Sequence, residues 1–274
     1  MRLIENENTR GCSPSEMIIL VRHGVDVSAL SQDLNQPLVE ETKSDVRTLG
    51  KQMIRFCGKV GVTRVRIGHS NRLRAIQTAA ITAEEFFAAH IPTEMYETAG
   101  VREIYQGEFI IKDSVCGAVY KPLSDAWSVW QQKLDECELL YRFGDPSFDG
   151  GGKARYPELV GRFTKFGEHQ GEFSLRLYLL LEELFRKTDS DLQVIVGHQA
   201  SCSRIQRIFS AASKLKSAED VAPGQFVRFL EKAGARKTIE PACGIVVKKP
   251  DRNLILTVLR MEIEFLKSIV QRGP

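Results

Sequence analysis

The sequence lacks the features that mark several large classes of protein. It contains no apolar run approaching the roughly 20 residues that a membrane-spanning helix requires. Neither sign of charge dominates, because 38 Lys and Arg oppose 35 Asp and Glu for a net charge of +3. The six cysteines stand singly, not in the paired spacings of zinc sites and redox motifs. These absences argue against a membrane protein, a nucleic-acid-binding protein, a zinc protein and a disulfide-stapled domain.

The remaining composition is that of an ordinary globular chain. Its 274 residues are 43% apolar, with a mean hydropathy of −0.19, which is enough to bury a substantial core. Residues 1–16 are polar and carry no apolar segment of a secretory signal. We therefore expect a cytoplasmic protein with reduced cysteines that binds neither nucleic acid nor membrane. The composition leaves its oligomeric state open.

Short runs rich in Val and Ile alternate with amphipathic segments along most of the chain. Runs of this length and β-branched content predict strands, and the continuous apolarity of the first and third predicts burial on both sheet faces. The predicted strands are residues 17–21, 62–67, 192–196, 244–247 and 254–259. The predicted helices are residues 40–58, 72–90, 172–186 and 201–214. Strand alternating with helix indicates an α/β fold with a doubly wound, mostly parallel sheet.

Residues 106–170 break this rhythm. They hold both tryptophans, a predicted helix at residues 124–140, and a loop marked by Gly and Pro at residues 146–157. We expect this segment to be a helical and loop insertion over one end of the sheet. The insertion would then belong to a single domain that spans residues 1–274.

Polar side chains follow three of the predicted strands at the points where the strands end. Arg22 and His23 follow the first strand, Arg74 lies just beyond the second, and His198 follows the third. Ligands of open parallel sheets bind beyond the carboxyl ends of the strands, so these side chains are expected to share one edge. Guanidinium groups and helix amino termini at that edge would bind a phosphate group.

The same side chains suit phosphoryl transfer. Neighbouring Arg charge keeps a histidine ring nitrogen unprotonated and able to attack phosphorus, a role that we assign to His23. The leaving oxygen then needs a proton, and a carboxylic acid kept protonated by burial can supply it. We assign that role to Glu103, near the start of the insertion, in preference to Glu108.

These motifs resemble the histidine phosphatase superfamily, which is also called the phosphoglycerate mutase-like family. The resemblance runs in order from about residue 17 to about residue 208. The matching positions are Arg22-His23-Gly24, Ser70 with Arg74, Ala75 and Thr78, Glu103 with Gly107, the Gly171-Glu172 pair, and His198.

The resemblance implies a three-layer α/β/α sandwich and a phosphatase that needs no metal ion or cofactor. It implies that His23 becomes a phosphohistidine during hydrolysis of a phosphomonoester. Glu103 would protonate the leaving oxygen and then help to activate water, with His198 as the third catalytic residue.

Four side chains are expected to bind the substrate phosphate on the same grounds. Arg22, Arg74 and His198 would hold the transferring oxygens. Gln199 stands where a Gly commonly follows the second histidine, which is similar to the bisphosphatase branch of the superfamily, and we place it in the phosphate site as well.

Other readings stay open at this point. Residues 25–29 lack the Asn that mutases of the superfamily usually carry, which favours a phosphatase over a phosphoglycerate mutase-type phosphotransferase. The insertion motivates a third reading as a non-catalytic phosphate-binding or scaffold protein. The substrate is open among metabolites, nucleotides, sugar phosphates and phosphoproteins, with a small molecule expected. His69, His90 and His169 are expected at the surface or in turns.

Overall fold

The computed structural model of the protein describes residues 2–25, 36–102, 107–113, 117–122, 163–166, 170–186, 191–223, 226 and 239–270. The chain divides into two compact units. The first joins Met1–Glu103 to Arg176–Met261, and the second joins Ile104–Leu175 to Glu262–Pro274. The ends of the segment Ile104–Leu175 lie close in the sequence to the ends of the predicted insertion at 106–170. That the whole chain folds as a single domain stays a prediction.

The first unit contains a six-stranded sheet. Its strands are β1 (Leu3–Glu5), β2 (Met17–Arg22), β3 (Val65–His69), β4 (Thr93–Glu97), β8 (Leu192–Gly197) and β9 (Gly244–Lys248). They lie in the order β1-β9-β2-β8-β3-β4. Every neighbouring pair is parallel except β2 with β9. The predicted mostly parallel sheet is therefore confirmed.

Helices cover both faces of this sheet. They are α1 (Glu40–Val60), α2 (Leu73–Ala88), α3 (Gln170–Arg186), α4 (Gln199–Ala212) and α5 (Arg252–Val270). Alternate residues of β2 face opposite sides, and Met17, Ile19 and Val21 pack in one core with α1 and α2. Ile18 and Leu20 are fully buried on the other side, where α4 lies against β2. The three-layer α/β/α sandwich is the architecture of this unit.

The helix α1 ends where its sequence provides a left-handed residue. Gly61 adopts φ 72°, and its N–H donates to the carbonyl of Cys57. A glycine in this conformation carries no penalty from a Cβ atom, so it closes the helix and turns the chain toward β3.

The prediction of a strand at residues 254–259 is wrong, because these residues lie inside α5. The carboxylate of Asp251 accepts the N–H of Leu254 at 2.9 Å and starts the helix. Ile255, Leu259 and Ile263 are buried at helical spacing. The β-branched content of the run led to the strand prediction. The sequence also contains a helix signal, because Asp251 precedes apolar residues that recur with a period of 3.6.

The second unit contains a three-stranded antiparallel sheet with the order β6-β5-β7. Its strands are β5 (Gly107–Asp113), β6 (Gly117–Pro122) and β7 (Phe163–Phe166). Helix and loop were expected in this stretch, and these strands were not predicted. The predicted helix at 124–140 lies outside the described residues. Within the part of the chain that the structure describes, no helix is long and apolar enough to cross a bilayer.

Candidate active site

The carboxyl ends of three adjacent parallel strands bring the predicted site residues together. In the sheet register Arg22 of β2 lies opposite Gly197 of β8, and His69 of β3 lies opposite Val196. The chain leaves all three strands at one level. The N–H of His23 donates to the carbonyl of Gly197 at 3.1 Å. Sheet register therefore places the residues that follow β2, β3 and β8 side by side.

The ring of His23 is held in one tautomer. Its Nδ1 lies 2.6 Å from the carbonyl oxygen of Gly24, and a carbonyl only accepts, so Nδ1 carries the proton. Its Nε2 accepts the Nε–H of Arg74 at 3.1 Å. Because Arg74 can only donate, Nε2 carries a lone pair. A ring nitrogen in this state can act as a nucleophile.

The Arg74 guanidinium bridges the two predicted histidines. It is buried in the first turn of α2, and its Nη2 lies 3.5 Å from Nδ1 of His198. The His23 and His198 ring centroids are 4.9 Å apart, with an interplanar angle of 62°. The predicted meeting of residues 23, 74 and 198 is therefore present in the structure.

The start of α2 is tied directly to the loop after β2. The hydroxyl of Thr78 accepts the N–H of Gly24 at 3.2 Å and donates to the carbonyl of Arg74 at 2.7 Å. A Cβ atom at Gly24 would collide with the methyl group of Thr42. This close approach explains the glycine after His23.

The ring of His198 is entirely buried and electrically neutral. Its Nε2 lies 2.8 Å from the hydroxyl of Ser70, which is also fully buried. Burial lowers the pKa of His198 far below its ordinary value, and the nearby His23 and the cationic groups of Arg74, Arg72 and Arg176 lower that pKa further. The ring therefore stays neutral at physiological pH.

Arg22 and Gln199 contact each other at the same edge. Arg22 Nη1 donates to the carbonyl of Ile239 at 3.1 Å and lies 3.5 Å from Oε1 of Gln199. Gln199 Nε2 in turn donates to Ser203 at 2.8 Å. The structure thus gives Gln199 a contact with Arg22, and its expected contact with phosphate stays a prediction.

The predicted acid, Glu103, lies outside the described residues, and nothing tests its role. The short turn Ala99–Val101 just before it is described. Arg176 Nη1 donates to the carbonyls of Ala99, Gly100 and Arg102 at 2.8 to 3.1 Å. The chain that leads to Glu103 is therefore anchored on α3.

Sequence reasoning missed several groups around His198. The hydroxyl of Ser201 accepts the His198 N–H at 3.1 Å and lies 3.3 Å from the carbonyl of Val101. A serine three residues after a helix cap was a readable capping signal. His69 is buried, with Nδ1 3.0 Å from the carbonyl of Ser70, although a surface or turn position was predicted. Nothing in the sequence marks the Arg176 contacts, because they join residues more than 70 positions apart.

The assembled site is suited to an anion with several oxygens. Two imidazoles and the guanidinium groups of Arg22 and Arg74 lie at one sheet edge, and α2 and α4 begin there with their amino termini. Guanidinium donors and helix N–H groups favour a phosphoryl group at such an edge. A neutral imidazole with a lone pair on Nε2 beside that cradle can act on the phosphorus.

Comparison with known proteins gives matches among solved structures only. No protein-family model and no curated protein sequence matches the chain. A mycobacterial glucosyl-3-phosphoglycerate phosphatase in complex with VO3 is 15% identical with a TM-score of 0.47, over 84% of this chain and 92% of that chain. YhfR of Bacillus stearothermophilus is 15% identical with a TM-score of 0.48, over 85% and 90%.

A third similar structure is a phosphoglycerate mutase from Plasmodium falciparum. It is 16% identical with a TM-score of 0.34, over 73% of this chain and 76% of that chain. The matching structures thus include phosphatases and a phosphoglycerate mutase.

Proposed function

We propose that the protein is a phosphomonoester hydrolase of the histidine phosphatase type, with a phosphohistidine intermediate on His23. One observation carries this proposal. The Nε2 atom of His23 keeps a lone pair, and the Arg74 Nε–H points at it from 3.1 Å. A guanidinium beside a nucleophilic nitrogen is placed to bind the oxygens of the group that the nitrogen attacks.

The first step transfers the phosphoryl group to the enzyme. Nε2 of His23 attacks phosphorus, so that a P–N bond forms while the ester P–O bond breaks. The leaving oxygen takes a proton, which we assign to Glu103. The proton on Nδ1 stays hydrogen-bonded to the Gly24 carbonyl, which stabilises the positive charge that develops on the ring.

The second step releases phosphate. Water attacks the phosphohistidine, the P–N bond breaks, and the electron pair returns to Nε2. Glu103, now a carboxylate, takes the proton of the attacking water. The cycle regenerates both groups and calls on no metal ion or cofactor.

Positive charge stabilises the transferring oxygens in both steps. Arg74 turns its fork from the two rings to the phosphoryl oxygens, and Arg22 supplies a second guanidinium from the end of β2. Such donors act strongly in a buried site, because water does not screen them. We propose a small phosphorylated molecule in the cytoplasm as the substrate, since His23 is only 8% exposed.

Phosphate release from a panel of phosphorylated metabolites and from p-nitrophenyl phosphate tests the proposal. We expect the wild-type protein to hydrolyse at least one of them. His23→Ala should lower kcat/KM on the order of a thousandfold or more, because the nucleophile is removed. When the wild-type reaction is stopped in alkali, the phosphoryl group that remains on the enzyme should be found on the peptide that contains His23.

His90→Asn is the matched control, since His90 is an exposed histidine with φ 58°, a conformation that Asn tolerates. It should release phosphate at the wild-type rate. Undiminished release by His23→Ala, or a wild-type protein inactive on every substrate, would overturn the proposal.

A further inference from the structure

The hydroxyl of Ser70 is a buried partner of the His198 ring that the proposed steps leave without a role. Ser70 Oγ lies 2.8 Å from Nε2 of His198, and both residues are 0% exposed. The main chain of Ser70 is fixed as well, because its N–H donates to the carbonyl of Val196 at 3.2 Å. The hydroxyl is therefore held at this place by the sheet edge itself.

The neighbours of His198 determine which ring nitrogen carries its proton. Arg74 Nη2 faces Nδ1 at 3.5 Å, and a guanidinium has no acceptor, so this contact favours a lone pair on Nδ1 over an N–H there. A neutral imidazole has one N–H, which is then on Nε2. That N–H points at Ser70 Oγ, so the serine oxygen accepts it.

The oxygen of Ser70 also accepts from the main chain. The N–H of Arg72 donates to it at 3.2 Å. A hydroxyl oxygen has two lone pairs, so one remains for the Nε2–H of His198. The choice between accepting from the ring and donating to it is set by Arg74, whose guanidinium faces Nδ1 and favours the ring N–H on Nε2.

We propose that Ser70 is a positioning residue that keeps the proton of His198 on Nε2 and thereby turns an unprotonated Nδ1 toward the phosphoryl site. This inference rests on the proposed function for its purpose. The hydrogen-bond geometry behind it can be tested without turnover, because it concerns the free protein.

The proposed role has a consequence for substrate binding. When a phosphoryl group draws Arg74 away, Nδ1 of His198 meets an anionic oxygen, and a lone pair facing an anion is repulsive. A proton between them removes the repulsion. It comes from the P–O–H of a monoanionic phosphomonoester, whose O–H bond breaks as the N–H bond forms, or from solvent when the ligand arrives fully ionised. Ser70 accepts from Nε2–H before and after this transfer, so the ring need not rotate.

The charged and titratable groups around His198 explain why the proton arrives only with the ligand. His23 faces it from the end of β2, Arg74 and Arg72 from the start of α2, and Arg176 from α3. The positive charge of the three arginines disfavours an imidazolium in the free site. An anion with two negative charges offsets that effect.

Nitrogen-15 NMR of the histidine rings tests the positioning role in the free protein. The wild type should show His198 as the neutral Nε2–H tautomer. Ser70→Ala should lose that signature, because the serine oxygen that accepts the Nε2–H is removed. Ser201→Ala is the matched control: it removes another fully buried hydroxyl that touches the His198 main chain, and it should keep the wild-type tautomer.

Orthovanadate binding tests the consequence. At a pH where orthovanadate binds as its dianion, calorimetry in two buffers of different ionisation enthalpy should show uptake of about one proton per bound vanadate in the wild type. Ser70→Ala should bind vanadate about tenfold more weakly or worse, because the imidazolium that forms on binding has lost the serine acceptor of its Nε2–H. Ser70→Thr keeps the hydroxyl and should restore both the affinity and the tautomer.

A wild-type Nδ1–H tautomer, or a Ser70→Ala protein that folds with unchanged ring signals and vanadate affinity, would overturn the inference. If Ser70→Ala does not fold, Ser70→Cys supplies the test, because a thiol is a weak acceptor of similar size. The failure of this inference is distinguishable from failure of the proposed function. The tautomer is read without substrate, whereas the proposed function fails only on phosphate release and on His23→Ala.

Discussion

A guanidinium placed between two imidazoles sets the state of both rings at the residue scale. Arg74 donates through Nε to His23 and approaches His198 through Nη2. Both contacts depend on the fixed angle of a planar fork. We therefore predict that Arg74→Lys, which keeps the charge, lowers kcat/KM about a hundredfold or more, because one ammonium cannot reach both rings. Phosphate release under kcat/KM conditions measures this effect.

The matched control for Arg74→Lys is Arg47→Lys. Arg47 lies on α1, half exposed, and pairs with Glu84 and Glu85. Exposed ion pairs contribute little, so this variant should retain the wild-type rate. If the kcat/KM of Arg74→Lys were within a few-fold of the wild-type value, the planar guanidinium would not be required at this position.

Residue types and their spacing predicted the central contacts of the site, but not all of its side-chain directions. Sheet register alone brings His23 and His198 together, because both follow parallel strands that pair directly. The ties of Gln199 to Arg22 and Ser203 depend on rotamers that no sequence pattern encodes. His69 was misassigned for the same reason, since the last residue of a strand can turn to solvent or to the interior.

At the element scale, α3 anchors the turn that leads to the predicted acid. Arg176 donates to three carbonyls of residues 99–102, and a Cβ at Gly100 would come within 2.5 Å of the Leu180 side chain. We predict that Arg176→Met lowers the free energy of unfolding by about 2–3 kcal/mol, because a charged donor to several carbonyls is lost. Urea denaturation followed by circular dichroism measures it.

Arg55→Met is the control for this effect, since Arg55 is an exposed arginine of α1. It should change the free energy of unfolding by less than about 0.5 kcal/mol. Equal effects of the two substitutions would show that the three carbonyl contacts of Arg176 contribute nothing specific.

The elements with the clearest burial signal were the ones predicted correctly. β2 is apolar and fully buried from Met17 to Val21, and β8 is buried throughout with Gln193 as its one polar side chain, so their sequences predict strands clearly. The edge strand β4 alternates half-buried and exposed residues, which gives a weaker pattern that sequence reasoning passed over. The run at 254–259 shows the limit of composition, because packing on a helical period overrides β-branched content.

On the scale of the whole molecule, one buried neutral histidine should make folding stability depend on pH. Burial and neighbouring cations lower the pKa of His198 in the folded protein from its ordinary 6.5. As the pH falls below that value, the unfolded chain binds a proton that the folded chain refuses. The unfolded state is therefore favoured, and stability decreases with falling pH by up to about 1.4 kcal/mol per pH unit.

The measurement compares free energies of unfolding between about pH 5 and pH 7.5 for the wild type and His198→Asn. Removing the imidazole abolishes the proton linkage at this site, so His198→Asn should show a shallower slope whatever its absolute stability. His90→Asn, which removes an exposed histidine, should keep the wild-type slope. A His198→Asn protein with an unchanged slope would mean that the folded ring accepts its proton as readily as the unfolded one. Such a result would contradict the neutral tautomer assigned to His198 in the free site. It would also contradict the positioning role proposed for Ser70.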